Sequence, residues 1–426
     1  MKQTVTVIGL GYVGFPLSLA IAKSGKYKVF GLTRNSKNIH SIKNKLAPID
    51  NITASLDIDK LDLTVTSKAQ ECLPISDFIV ICVPTPVNKD HTPDLFPIVT
   101  TSKLIAKFLR PNQVIILESS VNPGVCEEVI LPILETSGLA GGIDFELSHC
   151  PERINPGDPK WNVYNIARNV GSLTKKGNGI TANFYRSFLK ARVYEMGNLK
   201  EAESTKILEN TFRDVNIALV NELAQSFDKM GINLLNVIKG AANKPFAFMV
   251  HYPGCGVGGH CIPVDPYYLI QKAKEIGFEQ KLMKTARQIN NNMPKYTVNL
   301  LLKALGKSHI NLKDIKVGIL GVTYKPDVAD TRESPAITVL EILKDKGINV
   351  EIFDPFIQSI STVKNLEEIL KQCKAIILCT AHKSFVTNLT SEKLTEYKTK
   401  ILIDGRNCLD SKSLSQAGIY YKGIGF

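Results

Sequence analysis

The sequence predicts an α/β protein built from two doubly wound domains with parallel sheets, joined by a central helical region containing one long helix. Three observations carry this expectation. Short apolar runs alternate with helical patterns from the start of the chain, as in "TVTVIGL", "PLSLAIAKSG" and "KVFGL", the signature of βα units that assemble a parallel sheet. A stretch from Gly197 to about Met230 then reads as one helix without Pro or interior Gly. After "GKSHINLKD" the βα alternation begins again.

Taken in order, the first series continues through the strands "DFIVICVP" and "VIILESS" and fades near residue 195. In the long helix Leu208, Phe212, Val215, Leu219, Leu223 and Phe227 recur at three- and four-residue spacing, which draws one apolar face. Lys206 and Asn210 are four apart and share a face of that helix. Further helices are expected over Asn233–Gly240, over Pro266–Gly277 and within "QKLMKTARQINNNM". The second series reads as strand "IKVGILG", a helix from about Ser334, then strands "NVEIFDP", "KAIILCT" and "KILIDGRN". The expected domains are 1–196, 197–303 and 304–426.

A chain of 426 residues is too long for one ordinary core, and 44% hydrophobic with 22% charged residues is a globular composition. No apolar run approaches a membrane span and no signal-peptide pattern follows Met1, so a cytoplasmic protein is expected. Nine cysteines stand singly without a CxxC pair, which argues against a disulfide framework or a zinc site and for a reduced compartment. The net charge of +12 is spread thinly, with no basic run. That distribution disfavours nucleic acid and suits an anionic small molecule.

"GLGYVG" (Gly9, Tyr12, Val13 and the glycines Gly11 and Gly14) follows a strand and opens a helix. A dinucleotide fingerprint requires that context: a tight turn, close approach to the pyrophosphate, and a helix N-terminus aimed at it. A tight turn without ligand is the plain alternative. "CVPTP" ends a later strand on the sheet edge where ligands collect, so Thr85 is a candidate cofactor contact or a turn residue. In "GVGGHCIPVDPYYL", Gly256, Gly258 and Gly259 supply no side chains before Cys261, which suggests that something other than the core contacts the thiol. Asp265 reads as the N-cap of the following helix, with Pro266 at its first position. A helix start lowers a thiol pKa.

These motifs, with "ESSVNPG", "CPERINPGD", "EAESTKILENTFR", "GVTYKPDVADTRESPA" and "DGRN", give the chain a resemblance to the UDP-glucose/GDP-mannose dehydrogenase family along its whole length. The resemblance implies an N-terminal NAD-binding Rossmann domain, a central region with a dimerising helix, and a C-terminal Rossmann-like domain that completes the UDP-sugar site. It implies oxidation of a sugar C6 alcohol to a carboxylate by two NAD⁺ and one water. Cys261 would be the nucleophile that forms a thiohemiacetal and then a thioester. Lys206 and Asn210 would hold substrate and stabilise oxyanion charge, Asp265 and the Ser120 hydroxyl would position water, and Glu152 would do acid–base work. Ser120 stands where the family usually has threonine. Arg153, Tyr252, Gly258, Lys325, Arg332 and Arg406 match positions on the nucleotide-sugar side, where cations suit a diphosphate.

Val264 replaces the lysine of UDP-glucose enzymes, and "PERINPGD" replaces their "PEFLREG"-like loop. Both resemble the N-acetylhexosamine branch. They favour UDP-N-acetylglucosamine or UDP-N-acetylgalactosamine, then UDP-N-acetylmannosamine, with UDP-glucose last, and a role in surface polysaccharide synthesis. A one-step dehydrogenase and a non-catalytic nucleotide-sugar binder are the alternatives. The apolar face of the long helix predicts a homodimer, and no metal is expected. After the second strand, Thr33 and Arg34 stand where the family usually has an aspartate for the adenosine ribose. NAD is therefore expected with weak discrimination against NADP.

Overall fold

In a computed structural model the described residues are 2–47, 58–88, 90, 92–154, 160–311 and 315–426. They pack as two compact units: Met1–Glu209 with Tyr267–Glu279, and Asn210–Pro266 with Gln280–Phe426.

The first unit is an eight-stranded sheet in the order β3-β2-β1-β4-β5-β6-β7-β8. Its strands are β1 (Gln3–Ile8), β2 (Tyr27–Leu32), β3 (Leu63–Thr66), β4 (Phe78–Ile81), β5 (Val114–Leu117), β6 (Glu146–His149), β7 (Arg168–Ser172) and β8 (Val193–Glu195). All pairs are parallel except β6 with β7. The central strands β4 and β5 are buried throughout, as sheets covered on both faces require. Strand order reverses between β1 and β4, so the crevice beyond their C-terminal ends is the ligand position of a doubly wound sheet.

The second unit contains a five-stranded parallel sheet in the order β10-β9-β11-β12-β13, formed by Lys316–Leu320 (β9), Asn349–Phe353 (β10), Ala375–Leu378 (β11), Ile401–Asp404 (β12) and Tyr420–Gly423 (β13). The reading from "QKLMKTARQINNNM" stopped short: that helix runs Lys281–Lys307 straight through Pro294. Proline lacks the N–H that would reach Asn290 and costs about 3 kcal/mol in a helix interior. Beyond it Val298, Leu301, Ala304 and Leu305 are buried in the core under the second sheet. At about 1.5–3 kcal/mol per large buried side chain, that packing outweighs the proline.

The long helix spans Leu199–Met230, and its buried face is not the one its large apolar residues draw. Ala202, Glu203, Ile207, Asn210, Thr211, Asp214, Ala218, Asn221 and Ala224 are buried, whereas Leu208, Phe212 and Leu219 are 63%, 44% and 53% exposed. Glu203, Asp214 and Asn221 on the buried face find partners within their own units. In the first, Glu203 accepts from the backbone N–H groups of Gly124 (2.6 Å) and Cys126 (2.8 Å). In the second, Asp214 pairs with Arg287 at 2.6 Å and Asn221 accepts from the Gly254 N–H at 2.9 Å. Each of these three side chains is hydrogen-bonded, as buried polar groups usually are, whereas the Thr211 hydroxyl and the second Asp214 oxygen are buried without a hydrogen-bond partner.

Candidate active site

The turn after β1 assigns a distinct task to each fingerprint glycine. Gly9 has φ +94°, and a Cβ there would lie 2.7 Å from the Cys82 carbonyl oxygen. A Cβ on Gly14 would collide with the Gly9 carbonyl, so the helix Gly14–Lys23 packs on the strand only because that side chain is missing. Gly11 has nothing within 4 Å of the equivalent position. Open space at the second glycine is what lets a pyrophosphate approach the backbone. Val13, at the helix N-cap, makes no side-chain cap and the first turn holds no acid, so its N–H groups suit an anion. Beside this turn a cleft of about 650 Å³ is lined by Gly9, Leu32, Thr33, Arg34 and Val83 among others. These residues fit a dinucleotide. Thr85 presents its carbonyl to the Tyr268 hydroxyl, so its backbone anchors the loop after β4.

Among the remaining candidates of this unit, Glu152 belongs to a buried ionic cluster. Ser120 is half-buried in the segment after β5, next to Ser119, whose hydroxyl donates to the Val83 carbonyl at 2.6 Å. Glu152 is buried with both oxygens engaged. One accepts from the N–H groups of Arg153 (2.6 Å) and Ile154 (2.9 Å), the other from Arg168 (2.5 Å). Arg168, with no exposed surface, also reaches Glu118 at 3.4 Å, and the Tyr185 hydroxyl donates to Glu118 at 2.5 Å. Burial, only partly offset by the Arg168 charge, pushes the Glu118 carboxyl up to about 7. Arg153 grips Glu209 with two nitrogens and donates to the Ala167 carbonyl at 3.1 Å. Lys206 lies one turn beyond Glu203 on the long helix, half-buried. Positions 155–158 of "PERINPGD" lie outside the described residues.

In the second unit Asn210 and Asp265 meet. The Asn210 amide donates to the Asp265 carboxylate at 2.5 Å, and both side chains are buried. Asp265 is the first residue of the helix Asp265–Glu275 rather than the residue preceding it. Its N–H donates to the Cys261 carbonyl at 2.8 Å, which folds the thiol's own turn against the helix start. The glycines before Cys261 lie against another segment of the chain. A Cβ on Gly258 would lie 2.7 Å from the Glu333 carbonyl, one on Gly259 2.8 Å from the Tyr324 ring, and one on Gly256 3.1 Å from Pro335. The space the missing side chains vacate is filled by the chain's own segment 324–335. Gly259 also donates its N–H to the Arg332 carbonyl at 3.0 Å. Cys261 itself is half-buried.

The cationic candidates sit on the same segment and on the β12 loop. Arg332 is bidentate to Asp330 (3.0 and 2.6 Å); burial raises that carboxyl, but the Arg332 contacts outweigh it and hold the group low. Arg406 donates through Nε to the Cys379 carbonyl at 2.7 Å, and Gly254 lies so close that a Cβ would be 2.9 Å from its Nη1. Lys325 follows β9 in a loop held by Asp354, whose carboxylate accepts from the N–H groups of Val322 (2.7 Å) and Thr323 (3.2 Å) and contacts His382 at 3.1 Å. Tyr252 is 63% exposed. Sequence reasoning missed Arg168, Glu118, Tyr185, Asp354 and His382. Nothing local marks them, although an arginine inside the strand-like "IARNVGS" is a signal, since a strand buries its arginine only against acids.

The fold and its glycine turn define a dinucleotide-binding protein. Family models for the UDP-glucose/GDP-mannose dehydrogenases match in three consecutive pieces: the NAD-binding domain over residues 3–189, the central domain over 200–292 and the UDP-binding domain over 318–411. A UDP-N-acetyl-D-mannosamine dehydrogenase of Pyrococcus horikoshii is 36% identical over 99% of each chain. A UDP-N-acetyl-D-glucosamine 6-dehydrogenase of Pseudomonas aeruginosa is 37% identical over 83% of each. Among solved structures, an NDP-N-acetyl-D-galactosaminuronic acid dehydrogenase of Methanosarcina mazei superposes with a TM-score of 0.89 at 30% identity, covering 100% of this chain and 95% of that one. The chain belongs to the UDP-glucose/GDP-mannose dehydrogenase family. It is a nucleotide-sugar dehydrogenase that uses NAD and acts on a UDP-sugar. Among the described residues no helix is long and apolar enough to cross a membrane.

Proposed function

We propose that this protein oxidises the C6 alcohol of a UDP-N-acetylhexosamine to the carboxylate in two steps, with Cys261 as covalent nucleophile. In the first step the alcohol loses a proton and a hydride, which NAD⁺ accepts in both oxidations. The Cys261 sulfur adds to the resulting aldehyde and gives a thiohemiacetal. Loss of the hydroxyl proton and of a second hydride leaves a thioester, and water cleaves it to the uronate and the free thiol. A thiolate suits this division of labour because it attacks readily and departs readily.

The observation that carries the reading is the buried Asn210–Asp265 contact, with Asp265 four residues after the thiol and hydrogen-bonded to its carbonyl. Asn210 and Lys206 stabilise oxyanion charge, and Asp265 with Ser120 positions the water. Glu152, with both oxygens already accepting, shapes the 151–154 segment besides the acid–base work the family resemblance gives it. Lys325, Arg332 and Arg406 receive the nucleotide-sugar half. The domains are those read from sequence, 1–196, 197–303 and 304–426.

The sugar is UDP-N-acetylglucosamine or UDP-N-acetylgalactosamine, on the strength of Val264 and the "PERINPGD" segment. UDP-N-acetylmannosamine ranks next; the relatives' names span these epimers. The protein works in the cytoplasm, for surface polysaccharide synthesis, as a homodimer through residues around 205–228. The exposed Leu208, Phe212 and Leu219 support that interface. Incubation with a panel of these UDP-sugars and UDP-glucose, following NADH absorbance, tests the function. Two NADH per N-acetylhexosamine is expected. One NADH would mean release of an aldehyde, none a binding protein, and preference for UDP-glucose a wrong substrate branch.

A further inference from the structure

We propose that the adenosine end of the cofactor cleft is a 2′-phosphate site, so that the protein binds NADP(H) as well as NAD(H). The proposal rests on the first domain being the cofactor domain and is independent of which sugar is oxidised.

The cleft beside the fingerprint turn holds Arg34 from the loop after β2 together with Lys103 and Lys107, which follow each other at helical spacing on and just beyond the helix Phe96–Ala106. Its polar lining otherwise consists of hydroxyl and amide groups, including Thr33, Ser67 and Gln70, and it contains no carboxylate. All three cations are exposed, and among the described residues none of them is ion-paired. Glu71, beside the lining residue Gln70, is already engaged: it pairs with Lys68 at 3.1 Å and accepts from the Thr66 hydroxyl at 2.9 Å.

Thr33 occupies the position where an aspartate would repel a phosphate. Its backbone N–H is fixed by the Thr66 carbonyl at 3.1 Å, and its hydroxyl oxygen accepts from the Asn35 N–H at 3.3 Å. An oxygen used as acceptor leaves the hydroxyl proton to donate, which a phosphate oxygen can take and a carboxylate at this position could not offer. Three cations and a donating hydroxyl around one cleft match a phosphate dianion, and arginine adds a planar fork for two of its oxygens.

Binding, rather than turnover, provides the test. Fluorescence titration gives dissociation constants for NADH and NADPH without any sugar present. In the protein as it stands, NADPH is expected to bind within about ten-fold of NADH. The combined substitution Arg34→Ala, Lys103→Ala and Lys107→Ala is expected to raise the NADPH/NADH ratio of dissociation constants by about ten-fold or more. Thr33→Asp, which changes the acceptor character without touching the lysines, is expected to raise it independently. A wild-type ratio above about ten, or a ratio that the triple variant leaves unchanged, overturns the proposal. Failure to bind NADH at all would instead remove the cofactor-domain reading on which it rests.

Discussion

Replacing Arg168 by methionine removes the one cation between Glu118 and Glu152 while keeping most of the side-chain volume. All three side chains are at most 6% exposed, so water cannot take the place of the lost charge. Removing one partner of a buried ion pair costs about 3–5 kcal/mol. For a unit of this size that corresponds to a melting temperature lower by about 10 °C. The loss depends on pH with a definite sign. Glu118 holds its proton more tightly folded than unfolded, its carboxyl being raised from 4.5 to about 7 mainly by burial. The native protein therefore loses about 3 kcal/mol as pH rises through that window. Without Arg168, which pulls the group down, the carboxyl rises further and the loss extends above pH 7. Differential scanning fluorimetry should accordingly show a reduced penalty for Arg168→Met near pH 5.5, where the loss of the Glu152 pairing remains, and the full one near pH 8.5. Adding Glu118→Gln, which still accepts from Tyr185, should restore at least half of it. A penalty equal at both pH values, or below about 1 kcal/mol, would refute the argument that this cluster is an unscreened, charge-balanced core.

Cys261→Ser is expected to abolish NADH formation beyond the first oxidation while leaving UDP-sugar affinity within about three-fold, measured by calorimetry. In Lys206→Ala, rapid-quench mass spectrometry should find the sugar adduct on Cys261. Cys255 is the informative competitor: hydrogen bonding from Cys379, helped by Arg406 and opposed by burial, lowers its thiol to about 7, yet it is fully buried. An adduct there, or turnover by the serine variant, ends the Cys261 assignment. Light scattering at micromolar protein should give the mass of two chains, and Leu208→Asp with Leu219→Asp should shift it toward one. A single-chain mass for the unmodified protein removes the dimer.

The glycine spacing of "GLGYVG" specified its own geometry, because each glycine answers a local demand: a positive φ at Gly9, open space at Gly11 and a backbone crossing at Gly14. The βα alternation likewise specified β1, β2, β4, β5 and β9 to β12, since period and length are local properties of the chain, but β3, β6, β7, β8 and β13 were not read from it. The same local logic failed where the partner is distant in sequence. The long helix was legible, but not which face it buries, because its inward face is polar and finds partners such as Asp265, Arg287 and Asn290, 55 to 76 residues away. The glycines before Cys261 announced a close approach without saying that segment 324–335 makes it. The helix read within "QKLMKTARQINNNM" runs on through Pro294 because its far half packs in the core under the second sheet. The cationic cleft needed Lys103 and Lys107 brought beside Arg34 from about 70 residues away. Sequence determined the elements and the chemistry they carry, since both depend on neighbours along the chain. Which charges meet, and which side chains are denied water, was decided only by tertiary packing, because desolvation depends on neighbours in space.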